Sequence, residues 1–216
     1  MAPLSDTSDM FAVHRVFRES LGSAATLVGS AEGGGERVEL IANYYDNVLR
    51  FLEAHHNGEE VLIWPKLEQR CPEHLATVER AAAQHESVID FNAAAMSSGR
   101  AWQGSTSTED RDGFVDALEA LHNALVEHLD EEESVVLPLC AEHITQEEWG
   151  QLPGHGLAAF TGDKVWLILG LIREGMSQEQ RDAMLAHMPP PAADMWTSMG
   201  ESSFNSLIAE VRRSPS

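Results

Sequence analysis

Apolar residues recur at alternating steps of three and four along four stretches of the chain. The second stretch reads Val38, Ile41, Tyr45, Val48, Leu52, His55, Glu59, Leu62, and the fourth reads Phe114, Leu118, Leu121, Leu125, His128, Glu132, Val135, Leu139. The first reads His14, Phe17, Leu21, Ala24, Val28, and the third Leu75, Val78, Ala82, His85, Ile89, Asn92. This period is the buried seam of a helix in a bundle. It predicts an all-α chain, with helices over about residues 9–30, 36–69, 73–97 and 109–140. The first ends at Gly33-Gly-Gly, the second bends at Pro65 and the third fades at Ser97-Ser-Gly99; a Ser or Thr of the 104–108 loop caps the fourth.

Beyond His143 the pattern changes. Thr145-Gln-Glu-Glu-Trp149 starts a short helix, residues 150–156 read as a loop, and helices follow over 157–174, 177–187 and, after Pro189-Pro-Pro, 192–212. The expected organisation is therefore a bundle over residues 1–144 and a C-terminal helical extension over 145–216. Trp149, Trp166 and Trp196 must be buried somewhere, either on the bundle or in a dimer contact, so a monomer and a homodimer are both open.

The seams carry chemistry as well as packing. His14, His55, His85 and His128 occupy one seam each, and Glu59 and Glu132 follow their His by four residues, one turn along the same face. His56, Glu60, His122 and Glu133 fall beside the seams. One inward His reads as a hydrogen-bonded core residue, and one His-x-x-x-Glu as a solvated pair. All six together are too costly to bury unpaired, and two metal ions satisfy them. A ferritin-like set, Glu53-x-x-His56 with Glu119-x-x-His122, lies on polar faces and reads as solvated surface.

The order His14, His55-x-x-x-Glu59, His85, His128-x-x-x-Glu132, with the run His55-His-Asn-Gly-Glu-Glu-x-x-x-x-Pro65, resembles the hemerythrin-like (HHE cation-binding) family over about residues 10–142. The resemblance implies an antiparallel up-down four-helix bundle around a non-haem di-iron centre, two iron ions joined by an oxo or hydroxo group. Its ligands are His14, His55, His85 and His128, with Glu59 and Glu132 as bridges. Imidazole and carboxylate suit iron, and zinc or manganese as well.

Oxygen-carrying hemerythrins have a further His one turn from the third-helix ligand and a last motif ending in Asp. Here Ala81 and Ile89 stand at one-turn spacing from His85, and the motif ends in Glu132. Fewer protein ligands favour nitric oxide binding, peroxide chemistry or sensing over stable oxygen carriage. The expected function is binding of a small diatomic or peroxidic ligand (dioxygen, nitric oxide or hydrogen peroxide) in sensing, storage or stress response. A peroxide-decomposing enzyme and an iron-homeostasis protein are the alternatives, so enzymatic activity is left open.

Acidic residues outnumber Lys and Arg by 35 to 14, a formal charge of −21, which argues against nucleic acid or anionic membrane as partners. The start has no basic segment leading into an apolar run, so a cytoplasmic location is expected. Cys71 and Cys140 read as free thiols.

Overall fold

The computed structural model describes residues 4–31 and 35–213; apart from a β-bridge between Leu4 and Thr145, their regular structure is helical. Gly33 and Gly34 of the expected first loop lie outside the described residues. The first seam is carried by α1 (Met10–Gly22) and α2 (Ala24–Gly29), separated at Ser23. The second is α3 (Gly35–Leu62), followed by α4 (Trp64–Arg70). Pro65 has no N–H for the Val61 carbonyl, and the chain leaves the helix at Ile63 rather than merely bending.

The third stretch is one long helix, α5 (Leu75–Ser105), which runs on through Ser97-Ser-Gly99. A Cβ at Gly99 would stand 3.0 Å from the Phe114 ring, so this glycine serves close approach to the next helix instead of ending its own. Helix α5 stops at Thr106, whose φ of 53° is left-handed. Ser107 then caps α6 (Thr108–Glu131) by accepting from the Asp110 N–H at 3.1 Å. A π turn, Glu132–Val136, links α6 to α7 (Leu137–His143), and the Leu137 N–H reaches back five residues to the Glu132 carbonyl.

That wide turn moves the seam by one residue. Val136 is buried where the period points to Val135. On α5 the seam runs through Val78, Ala81, His85, Val88 and Asn92, leaving Leu75 and Ile89 exposed. The adjacent apolar pairs Ala81-Ala82 and Val88-Ile89 fit two seams equally well, and packing against α3 and α6 selects this one.

The remaining helices are α8 (Gln146–Trp149), α9 (Leu152–Ala158), α10 (Asp163–Glu174), α11 (Gln178–His187), α12 (Pro190–Met195) and, after a π turn over Trp196–Gly200, α13 (Glu201–Val211). A capping box of Thr145 with Glu148 starts α8. Helix α9 forms across the expected 150–156 loop, and Gly162, at φ 61°, separates it from α10. Helices α9 and α10 lie against α3, α10 also against α1, and α13 against α10. Ile168 and Leu169 share one apolar cluster with Phe17, Phe51 and Leu52. No helix among the described residues is long and apolar enough to cross a membrane.

A second apolar cluster holds Met10, Ile63, Trp64, Ala81, Val136 and both cysteines, which are free and buried. On every bundle stretch the His and Glu positions fall between the two clusters. Phe17 and Met10 flank His14, Leu52 and Ile63 flank His55 and Glu59, Val88 and Ala81 flank His85, and Leu125 and Val136 flank His128 and Glu132. Apolar burial on both sides thus encloses a polar layer of His and Glu side chains.

Candidate metal centre

That layer contains all the buried His, Asp and Glu side chains of the described residues: His14, His55, His56, Glu59, His85, His128 and Glu132. Ligating atoms of His14, His55, Glu59 and Glu132 lie within 4.8 Å of one another, and so do those of His56, His85 and His128. All six seam residues are therefore brought together, with one addition. His56, placed beside the seam by periodicity, is only 2% exposed, and its ring lies 4.3 Å from that of His85 and 5.3 Å from that of His128. A fifth buried imidazole, supplied by α3 beside His55, thus stands in the layer, although no fifth His lies on a seam.

A one-residue seam misses His56 because a layer enclosed by helices on several sides accepts two adjacent positions of one helix, about 100° apart, toward different neighbours. The doubled His in His55-His56 was the available signal. Of the ferritin-like set, Glu53 and Glu119 are exposed and His122 is only half-buried, packed near Gly22. His155 bonds Asn57 at 2.9 Å and His187 its own helix at 2.7 Å, both outside the layer.

The two carboxylates sit between the two groups. Glu59 Oε1 is 3.5 Å from His55 Nε2, and its Oε2 is 3.4 Å from His85 Nε2. Glu132 Oε2 is 3.4 Å from His14 Nε2 and 3.6 Å from His128 Nε2. Each carboxylate therefore faces one imidazole of either group. Neighbouring ligands on one ion with bonds of about 2.1 Å lie roughly 3.0–3.4 Å apart, close to these separations.

Hydrogen bonding leaves the same atoms without partners. All five Nε2 atoms, both oxygens of Glu59 and Oε2 of Glu132 are buried and unpartnered. Orphans on this scale are costly in an apolar interior, and a cation removes the cost. The donor set of imidazole nitrogen and carboxylate oxygen fits iron. Two of the outward nitrogens are better served. His14 Nδ1 lies 2.9 Å from Glu133 Oε1, and His128 Nδ1 lies 3.4 Å from Gln84 Oε1.

Burial sets the protonation states. It holds His55 and His56 well below the ordinary imidazole value, helped by neighbouring imidazoles, and lowers His85 too, against the pull of Glu132. His128 falls to about 3 by burial and then by His85. These rings are neutral at pH 7, with lone pairs free for a cation. Burial raises Glu59 to about 8 and, with Glu59 alongside, Glu132 well above the carboxylate range. Metal loading must displace those carboxyl protons, so release of roughly one to two protons per chain is expected at pH 7. Titration calorimetry in two buffers of different ionisation enthalpy measures it. A buffer-independent heat would contradict the assignment.

A family model described as hemerythrin HHE cation binding domain matches residues 5–140, more than half of the chain. An uncharacterised hemerythrin-like protein of Schizosaccharomyces pombe is 27% identical over 115 residues, covering 50% of this chain and 52% of that protein. The chain thus spans about half the length of this curated relative. No solved structure matches it. Five buried imidazoles and two carboxylates able to bind metal, on helices within the matched residues, agree with that match: the chain belongs to the hemerythrin HHE cation-binding domain family.

Proposed function

We propose that the first four helical stretches form an up-down antiparallel bundle holding two iron ions, and that the protein binds a small diatomic or peroxidic ligand there. His14 and His55 would hold one ion and His56, His85 and His128 the other, with Glu59 and Glu132 shared between them. The observation that carries this reading is that each carboxylate faces an imidazole of both groups. Bound iron supplies the redox and Lewis-acid chemistry that dioxygen, nitric oxide or hydrogen peroxide requires.

The chain's own residues then select the ligand. Leu52, Leu125 and Val136, all buried around the layer, keep bulk water out and favour small neutral molecules. Five imidazoles and two carboxylates that each face both groups would fill nine of the twelve positions of two six-coordinate ions, leaving three for solvent or ligand. Binding ranks ahead of peroxide turnover because the buried His, Asp and Glu side chains among the described residues are all ligand candidates. None is left over as general acid or base.

Titration of the iron-loaded protein with azide, nitric oxide and peroxide, followed by visible absorption, tests this. At least one should shift the spectrum at sub-millimolar to millimolar concentration, and His128→Ala should abolish the shift. A spectrum indifferent to all three would mean a closed, structural site. Rapid peroxide consumption lost in His128→Ala would instead reverse the order of binding and enzyme.

A further inference from the structure

Glu133 belongs to neither ligand group, yet it holds one of the imidazoles. The π turn over Glu132–Val136 places two successive glutamates on the centre, Glu132 facing His14 Nε2 at 3.4 Å and Glu133 facing His14 Nδ1 at 2.9 Å. The His14 ring is wholly buried, whereas Glu133 is 23% exposed and reaches the surface. There Arg18 bonds it at 3.3 Å and Asp130 at 2.8 Å, so His14, Glu133, Arg18 and Asp130 form one chain of contacts from the interior to solvent.

The two imidazoles of α5 and α6 have weaker partners. His128 Nδ1 has the neutral amide of Gln84 at 3.4 Å. His85 Nδ1 has no hydrogen-bond partner, its nearest carboxylate being Glu60 at 3.7 Å. Among the contacts of the described residues, only that of His14 combines an anionic acceptor, a short distance and an arginine that holds the acceptor in place.

Resting on the two-ion reading, we propose that Glu133, held by Arg18, is the positioning residue of His14 and makes the two ion sites unequal. Accepting from Nδ1–H fixes the tautomer that leaves the Nε2 lone pair for metal, and it fixes the ring's orientation toward Glu132. A carboxylate acceptor also increases electron donation by the imidazole, which favours the more oxidised ion in the half built on His14 and His55.

The test is an anaerobic competition between iron(II)-loaded protein and a chelator of known affinity, for wild type, Glu133→Ala, Glu133→Gln and Glu60→Ala, with circular dichroism of each metal-free chain as a folding control. Loss of such an acceptor costs about 10–100-fold in metal affinity. Glu133→Ala should therefore weaken one ion by that factor and leave the other nearly unchanged. Glu133→Gln, which keeps an acceptor oxygen, should recover most of the affinity while raising the midpoint potential of the loaded centre. Glu60→Ala should match wild type.

Wild-type affinity for both ions in Glu133→Ala, or no rescue by Glu133→Gln, overturns the inference. A wild-type chain that takes up no iron overturns the two-ion reading and this inference together. Two ions in wild type alongside an unaffected Glu133→Ala overturns this inference alone.

Discussion

Removing both irons from the loaded protein is expected to lower its thermal midpoint by roughly 15–30 °C. Each ion held at roughly a thousand times its dissociation constant adds about 4 kcal/mol to the folded state. In a chain of this size each kcal/mol is worth about 2–4 °C. The stripped chain also keeps the cost that metal removes, because five Nε2 atoms and three carboxylate oxygens remain buried without partners. Differential scanning calorimetry of loaded and chelator-treated protein measures the difference. A midpoint unmoved by chelation would mean that the layer is stable without metal.

The stripped chain should also show its own pH dependence. Glu59, raised from 4.5 to about 8 in the folded state, contributes stability that is fully present below pH 4.5 and is lost as pH rises through 8. His128, lowered from 6.5 to about 3, contributes stability present above pH 6.5 and lost as pH falls through 3. Metal-free protein should thus be most stable in mildly acidic solution, weakening by several kcal/mol toward either side. Metal reverses the alkaline limb, since it takes the deprotonated carboxylates.

The second large effect is on metal content. Glu59→Ala and Glu132→Ala each remove a carboxylate that faces both imidazole groups, and should reduce iron from about two ions per chain to one or fewer. His56→Ala should cost the ion of the three-His group, despite the position of His56 beside the periodic seam. Glu60→Ala should keep both ions, its carboxylate being 43% exposed and beyond hydrogen-bonding distance of His85. Elemental analysis after gel filtration counts the iron. Equal losses from Glu59→Ala and Glu60→Ala would contradict the arrangement of α3.

That the six seam residues turn inward was legible because polar side chains at strictly apolar positions stand out against a helical period. What was not legible has local physical causes. His56 escaped because an enclosed layer takes two adjacent residues of α3, whereas a seam counts one. Val136 replaced Val135, and Glu133 reached His14, because the π turn departs from the 3.6-residue period without any residue that announces it. Ser97-Ser-Gly99 reads locally as a helix end, yet α5 continues through it, and Gly99 serves close packing of the Phe114 ring instead. The adjacent apolar pairs of α5 fit two faces equally, so tertiary contact chose the buried one. In the extension, Gly150 to Gly156 carries loop-forming residues, yet α9 forms there against α3.

Anomalous diffraction from crystals of the iron-loaded protein tests the central claim most directly. The account predicts two peaks per chain, one against His14 and His55, the other against His56, His85 and His128, with Glu59 and Glu132 touching both. A single peak, or iron bound away from this layer, would contradict it.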